Sequence, residues 1–592
     1  MPARLNGQAQ YLTKSERSII DNEQTMGKGC TNTLERVMAS KSGTPCPISF
    51  TNQIDLHQSG VLLALPSLLA HGLLKYQSDF EQISGYYSCN SIFIALSFLA
   101  LLRVKTLSQV TDIPSGELGK AIGLDRIPEV KTLRERIANF CKATDVELWG
   151  RHLSQDWMGH YPELSGVLYI DGHVKIYHGQ ATNLPKRFVS RLRLCMSGTT
   201  DYWVNDKMGQ PFFVINKTIS EGLIANIKDE ILPRLEEDIP NQPTAQELAN
   251  DSHLHKYMLV VDREGYSPDF FYDLWQQRVA ICTYNKNVKD QWDNNEFTIH
   301  TGTLTSDLEQ KIELAERCVL LQNKASDKKI WVREIRKKSQ SGHQTSIITT
   351  NFKLSALMIG LHMFARWSQE NFFKYMMENY GIDSLTSYLK EAISDTTTLV
   401  NPAYRDLEAQ RKKETSKLNL QKIKFATLNL NDTIIEEIKM KVYLTKKQEI
   451  TNEIERLQLV IDEIKENKKG IARKITFAEL PQNEKFNKVI NKRKHFLDTI
   501  KILAYRSETA MSNIIKPYMS HPDESRLLLK QVYQSDANIH VDHENQILTV
   551  ELHNLTYWKD DKIIRNLCNT LNETQTKFPD TNLTIFYKLV TT

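Results

Sequence analysis

Residues 257–274 read YMLVVDREGYSPDFFYDL, and this stretch decides the fold class. Tyr257–Val261 is a short apolar, β-prone run bounded by charge and glycine, the length and composition of a buried strand. Asp262 then stands at the strand's carboxyl end, where open α/β sheets keep their chemistry. An acid there also caps a helix that follows, so position alone leaves both readings open.

The flanking chain has the same texture. Between about residues 166 and 283 come GVLYIDGHVKIYHG, a basic loop, PFFVINK, the amphipathic TISEGLIANIKDEILPRLEE, the opening strand, a helix and VAICTY. Strands alternating with helical segments predict a mixed α/β sheet. In GVLYIDGHVKIYHG, Asp171 is expected to end one strand, with Gly172 turning the chain into the next. From about 286 to 350, NEFTIHTGTL, CVLLQNK, KKIWVREIRK and QTSIITT predict an inserted antiparallel sheet, and the LSALMIGLHMFARWSQENFFKYMMENYG that follows is helical.

At 592 residues the chain exceeds one core, and about three to five units are expected. The 41% apolar and 25% charged residues describe a folded chain rather than a disordered tail. A net charge of +4 permits a nucleic-acid partner without requiring one. The eight cysteines contain no CxxC pair, which argues against a zinc module and fits a reducing compartment. The N-terminal residues lack the apolar core of a signal peptide, so no export is expected. The longest apolar run, Ile92–Leu102, falls short of the roughly 20 residues that span a bilayer and is expected to be a buried helix.

The expected divisions are a loosely ordered lead-in over 1–53, a helical domain over 54–150, an α/β segment over 160–285 and its last helices, carrying Glu370, over 351–400. The β-rich insertion lies at 286–350, a helical or coiled-coil arm at 401–520 and a small α/β cap at 521–592. Helices punctuated by Pro and Gly in the second segment suit either a helix-turn-helix bundle or plain helical packing. The charged run IIEEIKMKVYLTKKQEITNEIERLQLVIDEIKENKKG suits a coiled-coil hairpin, a dimer contact or a solvated arm.

Two aspartates brought together at one sheet edge repel unless a cation neutralises them. Glu370, in RWSQENFFKY, is an acid on an otherwise apolar and aromatic helix and would complete a trio with Asp171 and Asp262. Hard oxygen ligands of this kind select Mg²⁺ or Mn²⁺ rather than zinc. These local words, with the TTN that leads into the RWxxE helix, resemble the DDE transposases of bacterial insertion sequences. Within that family they are similar to the cut-and-paste group whose ribonuclease-H-like domain is interrupted by a β-sheet before the glutamate. Upstream, LLALPSLLAHGLL, YYSCNSIFIALSFLALLRVKTL and PSGELGKAIGLDRIPEVKTLRERI extend the resemblance, which covers about residues 56–389.

The resemblance implies a ribonuclease-H-like catalytic domain in which Asp171, Asp262 and Glu370 are the catalytic acids and hold two Mg²⁺ ions, with Mn²⁺ able to substitute. It also implies an arginine four places before the glutamate, matched by Arg366. The family's tyrosine and lysine places fall on Met363 and Met377, and Lys374, one turn past Glu370, is the substitute on the same face.

DNA contacts are expected from Lys186, Arg187, Arg191 and Arg193 in NLPKRFVSRLRLCMSGTTDYWVND, with Tyr202 and Trp203 stacking on an unpaired base. A solvated basic face is the plainer reading of that run. Arg333, Arg336, Lys337 and Lys338 offer a second grip or simply surface charge. The expected partners are double-stranded DNA, as element ends and target, and a second copy of the chain in a homodimeric synapse, with no membrane and no small-molecule substrate. The expected location is the bacterial cytoplasm, at the nucleoid. A nuclease that cuts without joining and a non-enzymatic architectural DNA-binding protein are the alternatives.

Overall fold

The computed structural model describes residues 45–80, 85–113, 115–124, 126–179, 182–189, 192–219, 222–286, 288, 290–303, 310–323, 326–384, 390–427 and 437–590. The chain forms two compact units. The first comprises residues up to His178, Lys186–Tyr388 and Ile490–Thr592, and the second Gly179–Pro185 and Leu389–Val489.

The strands of the first unit before residue 350 are β1 (Gln53–Leu56), β2 (Val167–Ile176), β3 (Lys186–Val189), β4 (Leu194–Asn205), β5 (Pro211–Lys217), β6 (Tyr257–Val261), β7 (Val279–Tyr284), β8 (Thr298–Gly302), β9 (Gln310–Gln322), β10 (Lys329–Lys338) and β11 (Gln344–Thr349). Its helices include α1 (Cys89–Leu101), α2 (Val130–Ala143), α3 (Val146–His160), α4 (Pro268–Gln276), α5 (Ala356–Ala365) and α6 (Trp367–Tyr380). The fold is mixed α/β. A ten-stranded sheet runs in the order β3-β4-β2-β6-β7-β11-β10-β9-β8, with β5 on β4. At its centre β2, β6 and β7 are parallel, and every residue of β6 is buried, as a strand covered on both faces requires. The expected insertion is antiparallel, but it is not a separate sheet: β11 pairs with β7 and extends the central one.

Asp171 does not end a strand. The run Val167–Ile176 is one strand that changes partners, with parallel pairing to β6 stopping at Ile170 and antiparallel pairing to β4 continuing to Ile176. Its hairpin partner β4 lies in the segment expected to be a basic loop. Gly172 serves close packing instead of a turn, because a Cβ there would stand 3.1 Å from the Tyr202 ring.

The largest difference lies at Lys492–Ile515. This helix falls in the arm expected over 401–520, yet it is buried along most of its length and packs on α1, α2 and α3. Phe496 sits among Phe80, Phe93, Phe140 and Trp149, with ring centroids 5.4–6.2 Å apart, edge-on to Phe93 and tilted to the other three. The expected N-terminal helical domain and C-terminal cap are likewise parts of this unit. β1 pairs with Ala537–Asp542 in a four-stranded sheet completed by Ile547–Leu552 and Thr584–Leu589, and their buried residues belong to one continuous core.

The second unit is a helical hairpin, Pro402–Ala426 against Glu437–Lys469, closed at its base by the strand pair Thr398–Val400 and Lys474–Thr476. Its small core holds Leu418, Leu457 and Ile461, while Leu420, Ile423, Leu444 and Leu459 are exposed.

Candidate active site where two parallel strands part

The register between β2 and β6 pairs Tyr169 with Val260 and Ile170 with Val261. One residue further brings Asp171 beside Asp262 on strands about 4.8 Å apart. Asp262 stands just past the carboxyl end of β6 and also caps the turn that follows. Its side chain accepts the Glu264 amide at 2.7 Å and so caps the one-turn helix Arg263–Gly265, while α4 is capped by Ser267. The Asp262 carbonyl accepts the Thr283 hydroxyl at 2.7 Å, which ties the strand end to β7.

Glycine follows because the turn folds back on its own strand: a Cβ on Gly265 would lie 2.3 Å from Cγ2 of Val261, the residue before Asp262. Gly265→Ala is therefore expected to cost about 1–3 kcal/mol by overpacking and to displace Asp262. Thermal melting together with a DNA-cleavage assay checks both effects.

Glu370 reaches the same place from α6. Gln369, buried beside it, donates from Nε2 to the Tyr169 carbonyl at 3.1 Å, and the Tyr169 hydroxyl donates to the His362 carbonyl at 2.8 Å. Trp203 packs edge-on against Phe372 at 5.3 Å. These contacts fasten α5 and α6 to the sheet at the level of Asp171. Arg366 then joins two of the acids, with Nη1 3.4 Å from Asp171 Oδ2 and Nη2 3.2 Å from Glu370 Oε1.

Burial and then the charges of Asp262 and Glu264 push the Asp171 carboxyl up, against Arg366 and the Gly172 amide, to about 7. Glu264 is also raised, by burial and then by Asp262. The site thus holds a fourth acid, absent from the sequence reading although it lies in the same DREG word. Tyr284, at the end of β7, is raised by burial and lies in the fields of Arg366 and Glu370. Among the described residues no group of three or more His, Cys, Asp or Glu stands close enough to hold a metal ion. The Arg366 guanidinium spans two of the acids, Asp171 and Glu370.

The expected DNA contacts divide. Lys186 and Arg193 are exposed on the β3–β4 hairpin, and Lys374 is exposed on α6. Arg187 is half-buried and donates to the Thr218 carbonyl at 2.8 Å, and Arg191 lies outside the described residues. Lys186 pairs with Ser197, six residues along β4 from the Trp203 that faces Asp171, a distance of about 20 Å. Tyr202 and Trp203, 4% and 0% exposed, are core side chains that no base can reach. Arg333 and Arg336 are buried too, held by Glu316 and by Glu334 with Asp290, so the insertion's arginines build the sheet rather than grip DNA.

Fold and site together define a mixed α/β protein whose acids lie where β2 parts from β6, with Glu370 on the adjoining helix α6. The model of the Transposase_29 family, described as transposase protein, matches residues 27–591, nearly the whole chain, and the chain belongs to this family of transposases. No curated protein matches it. Among the described residues no helix is long and apolar enough to cross a membrane.

Proposed function

We propose that this transposase cuts at the ends of its element and joins the freed 3′-hydroxyl to target DNA by a DDE mechanism, using Asp171, Asp262 and Glu370 in a ribonuclease-H-like domain. One observation carries the reading: the strand register sets the two aspartates side by side, and Arg366 ties the first of them to Glu370. Three antiparallel strands, β5, β4 and β2, continued by two parallel ones, β6 and β7, support a catalytic sheet of this type.

An all-oxygen donor set whose members repel one another suits Mg²⁺, with Mn²⁺ as a substitute. Two such ions, when bound, would stabilise charge on the attacking and leaving oxygens of a phosphodiester displacement. The protein's own part is positioning. The Gly172 and Glu264 amides orient the two aspartates, Gln369 fixes α6 against β2, and the Arg366–Glu370 pair must open before the glutamate can join them. Arg366 then has Nη2 free for a phosphate while Nη1 stays on Asp171, with Lys186, Arg193 and Lys374 as further backbone contacts. Synapsis of two ends requires two copies of the chain, and the exposed apolar residues of the helical hairpin suit a homodimer contact. The place of action is the nucleoid of a bacterial cell.

Arg366→Ala is expected to lower joining by roughly 10²-fold, the scale of removing one charge-stabilising group, while leaving end binding intact. Unchanged joining in a strand-transfer assay contradicts this role. The function itself is tested with the full chain, a pre-cut end duplex and target plasmid, in Mg²⁺ and in EDTA. Mg²⁺-dependent joined product is expected; cleavage without joining identifies a nuclease, and binding without product an architectural protein.

A further inference from the structure

Away from the acids, α1, the turn that follows it and the core helix Lys492–Ile515 enclose a cavity of about 100 Å³. Its walls are apolar, with Leu99, Leu497 and Ile500 among them. Its polar lining is cationic: Lys105, Arg134 and Lys501 face it, with the Thr106, Ser108 and Ser384 hydroxyls, and no carboxylate lines it among the described residues.

None of the three cations has a carboxylate within ion-pair distance among the described residues. Arg134 donates to Ser108 Oγ at 2.7 Å. Lys501 donates only to the Lys105 and Gly381 carbonyls, at 3.3 and 3.2 Å. Arg134 is exposed at the rim and Lys105 is half-buried, whereas Lys501 is buried against the apolar wall; a buried amine without an ion pair is costly, and an anion joining it lowers that cost. Burial pushes the Lys501 amine down to about 7, helped by Lys494 and opposed by Asp498 and Asp383; Asp498 is itself bonded to Lys494.

We propose that this cavity binds a small organic anion with a short aliphatic tail: the carboxylate meets Lys105, Arg134 and Lys501 while the tail fills the apolar end. An apolar cavity of ~150 Å³ accepts benzene, and this one is smaller at about 100 Å³, so a tail of about four to five carbons is the right size. Lys501 holds the carbonyl of Gly381, the left-handed cap of the helix carrying Glu370, so the ligand sits beside that helix end. The site stands on its own lining and is independent of the transposition chemistry.

Isothermal titration calorimetry of the full chain with hexanoate, hexan-1-ol and hexylamine tests this. Hexanoate is expected to bind one to one, with the alcohol and the amine weaker by at least roughly tenfold, the factor that ~1.4 kcal/mol sets. The double variant Lys105→Ala, Arg134→Ala removes two charges from the rim without touching the core, and should reduce hexanoate to the level of the alcohol at unchanged melting temperature. Val104→Phe should fill the cavity and abolish binding of both. Failure of hexanoate to bind, equal binding of the alcohol, or unaltered affinity in the double variant overturns the proposal.

Discussion

Asp262→Ala is expected to abolish DNA cleavage and joining, by roughly 10³-fold or more, while end binding stays within about threefold of wild type. The reason is position. Asp262 ends the central buried strand of the sheet, next in register to Asp171, with its carbonyl fixed by Thr283. Its side chain caps only a one-turn helix, a cap whose loss costs about 1 kcal/mol, too little to unfold the chain. A gel-shift assay read beside a cleavage assay separates the two functions. Loss of both together makes Asp262 structural, and Mg²⁺-dependent cutting by the variant removes it from the chemistry.

The largest effect on stability is expected from Glu508→Ala. Glu508 lies on the core helix with its carboxylate fully buried, and it accepts from the Arg103 guanidinium, from Arg526 at 3.3 Å, and from the Tyr375 and Tyr380 hydroxyls at 2.9 and 2.6 Å. Burial pulls the Arg103 proton away, but Tyr380, Glu508 and Tyr375 hold it above its ordinary value. Removing the carboxylate strands two guanidinium groups inside the protein, which costs about 3–5 kcal/mol, a large share of the ~5–15 kcal/mol that a folded chain has. Because Tyr375 and Tyr380 lie on α6, the loss should also loosen the helix carrying Glu370. Chemical denaturation followed by circular dichroism measures it, and a change below about 1 kcal/mol, the size of an ordinary surface hydrogen bond, shows the network to be dispensable.

The same network explains what the sequence hid. Tyr257–Val261 and Val279–Tyr284 are continuous apolar runs and are legible as buried strands, and Asp262 follows from the first of them. Lys492–Ile515 is not legible, because Lys494, His495, Asp498, Lys501, Arg506 and Glu508 are buried along with its apolar residues, and partners such as Arg103 for Glu508 and the Pro211 carbonyl for Arg506 lie hundreds of residues away, while Lys494 and Asp498 pair with each other. Charge that is neutralised inside a core looks, in one dimension, like charge in water. β4 is concealed in the same way: Thr199, Thr200 and Asp201 are buried, with Asp201 paired to Lys175 of β2 at 2.7 Å. Arg333 and Arg336 mislead in the opposite direction, as a basic run whose counter-charges sit on neighbouring strands and on a nearby loop. For the site, residue type and position pointed to Asp171, Asp262 and Glu370, and the family resemblance to Arg366, but the Arg366 bridge depends on how α6 meets β2, and only the fold places Gln369 and Tyr169 between them.

The central claim is that Asp171, Asp262 and Glu370 act together as a cation-binding set. It is tested most directly by electron paramagnetic resonance of Mn²⁺ titrated into the full chain bound to pre-cut end DNA, with wild type compared with Glu370→Gln. Two protein-bound Mn²⁺ ions in the wild-type complex, and loss of one or both in the variant, are the predicted result. Identical Mn²⁺ binding in the two complexes, or none in either, contradicts it.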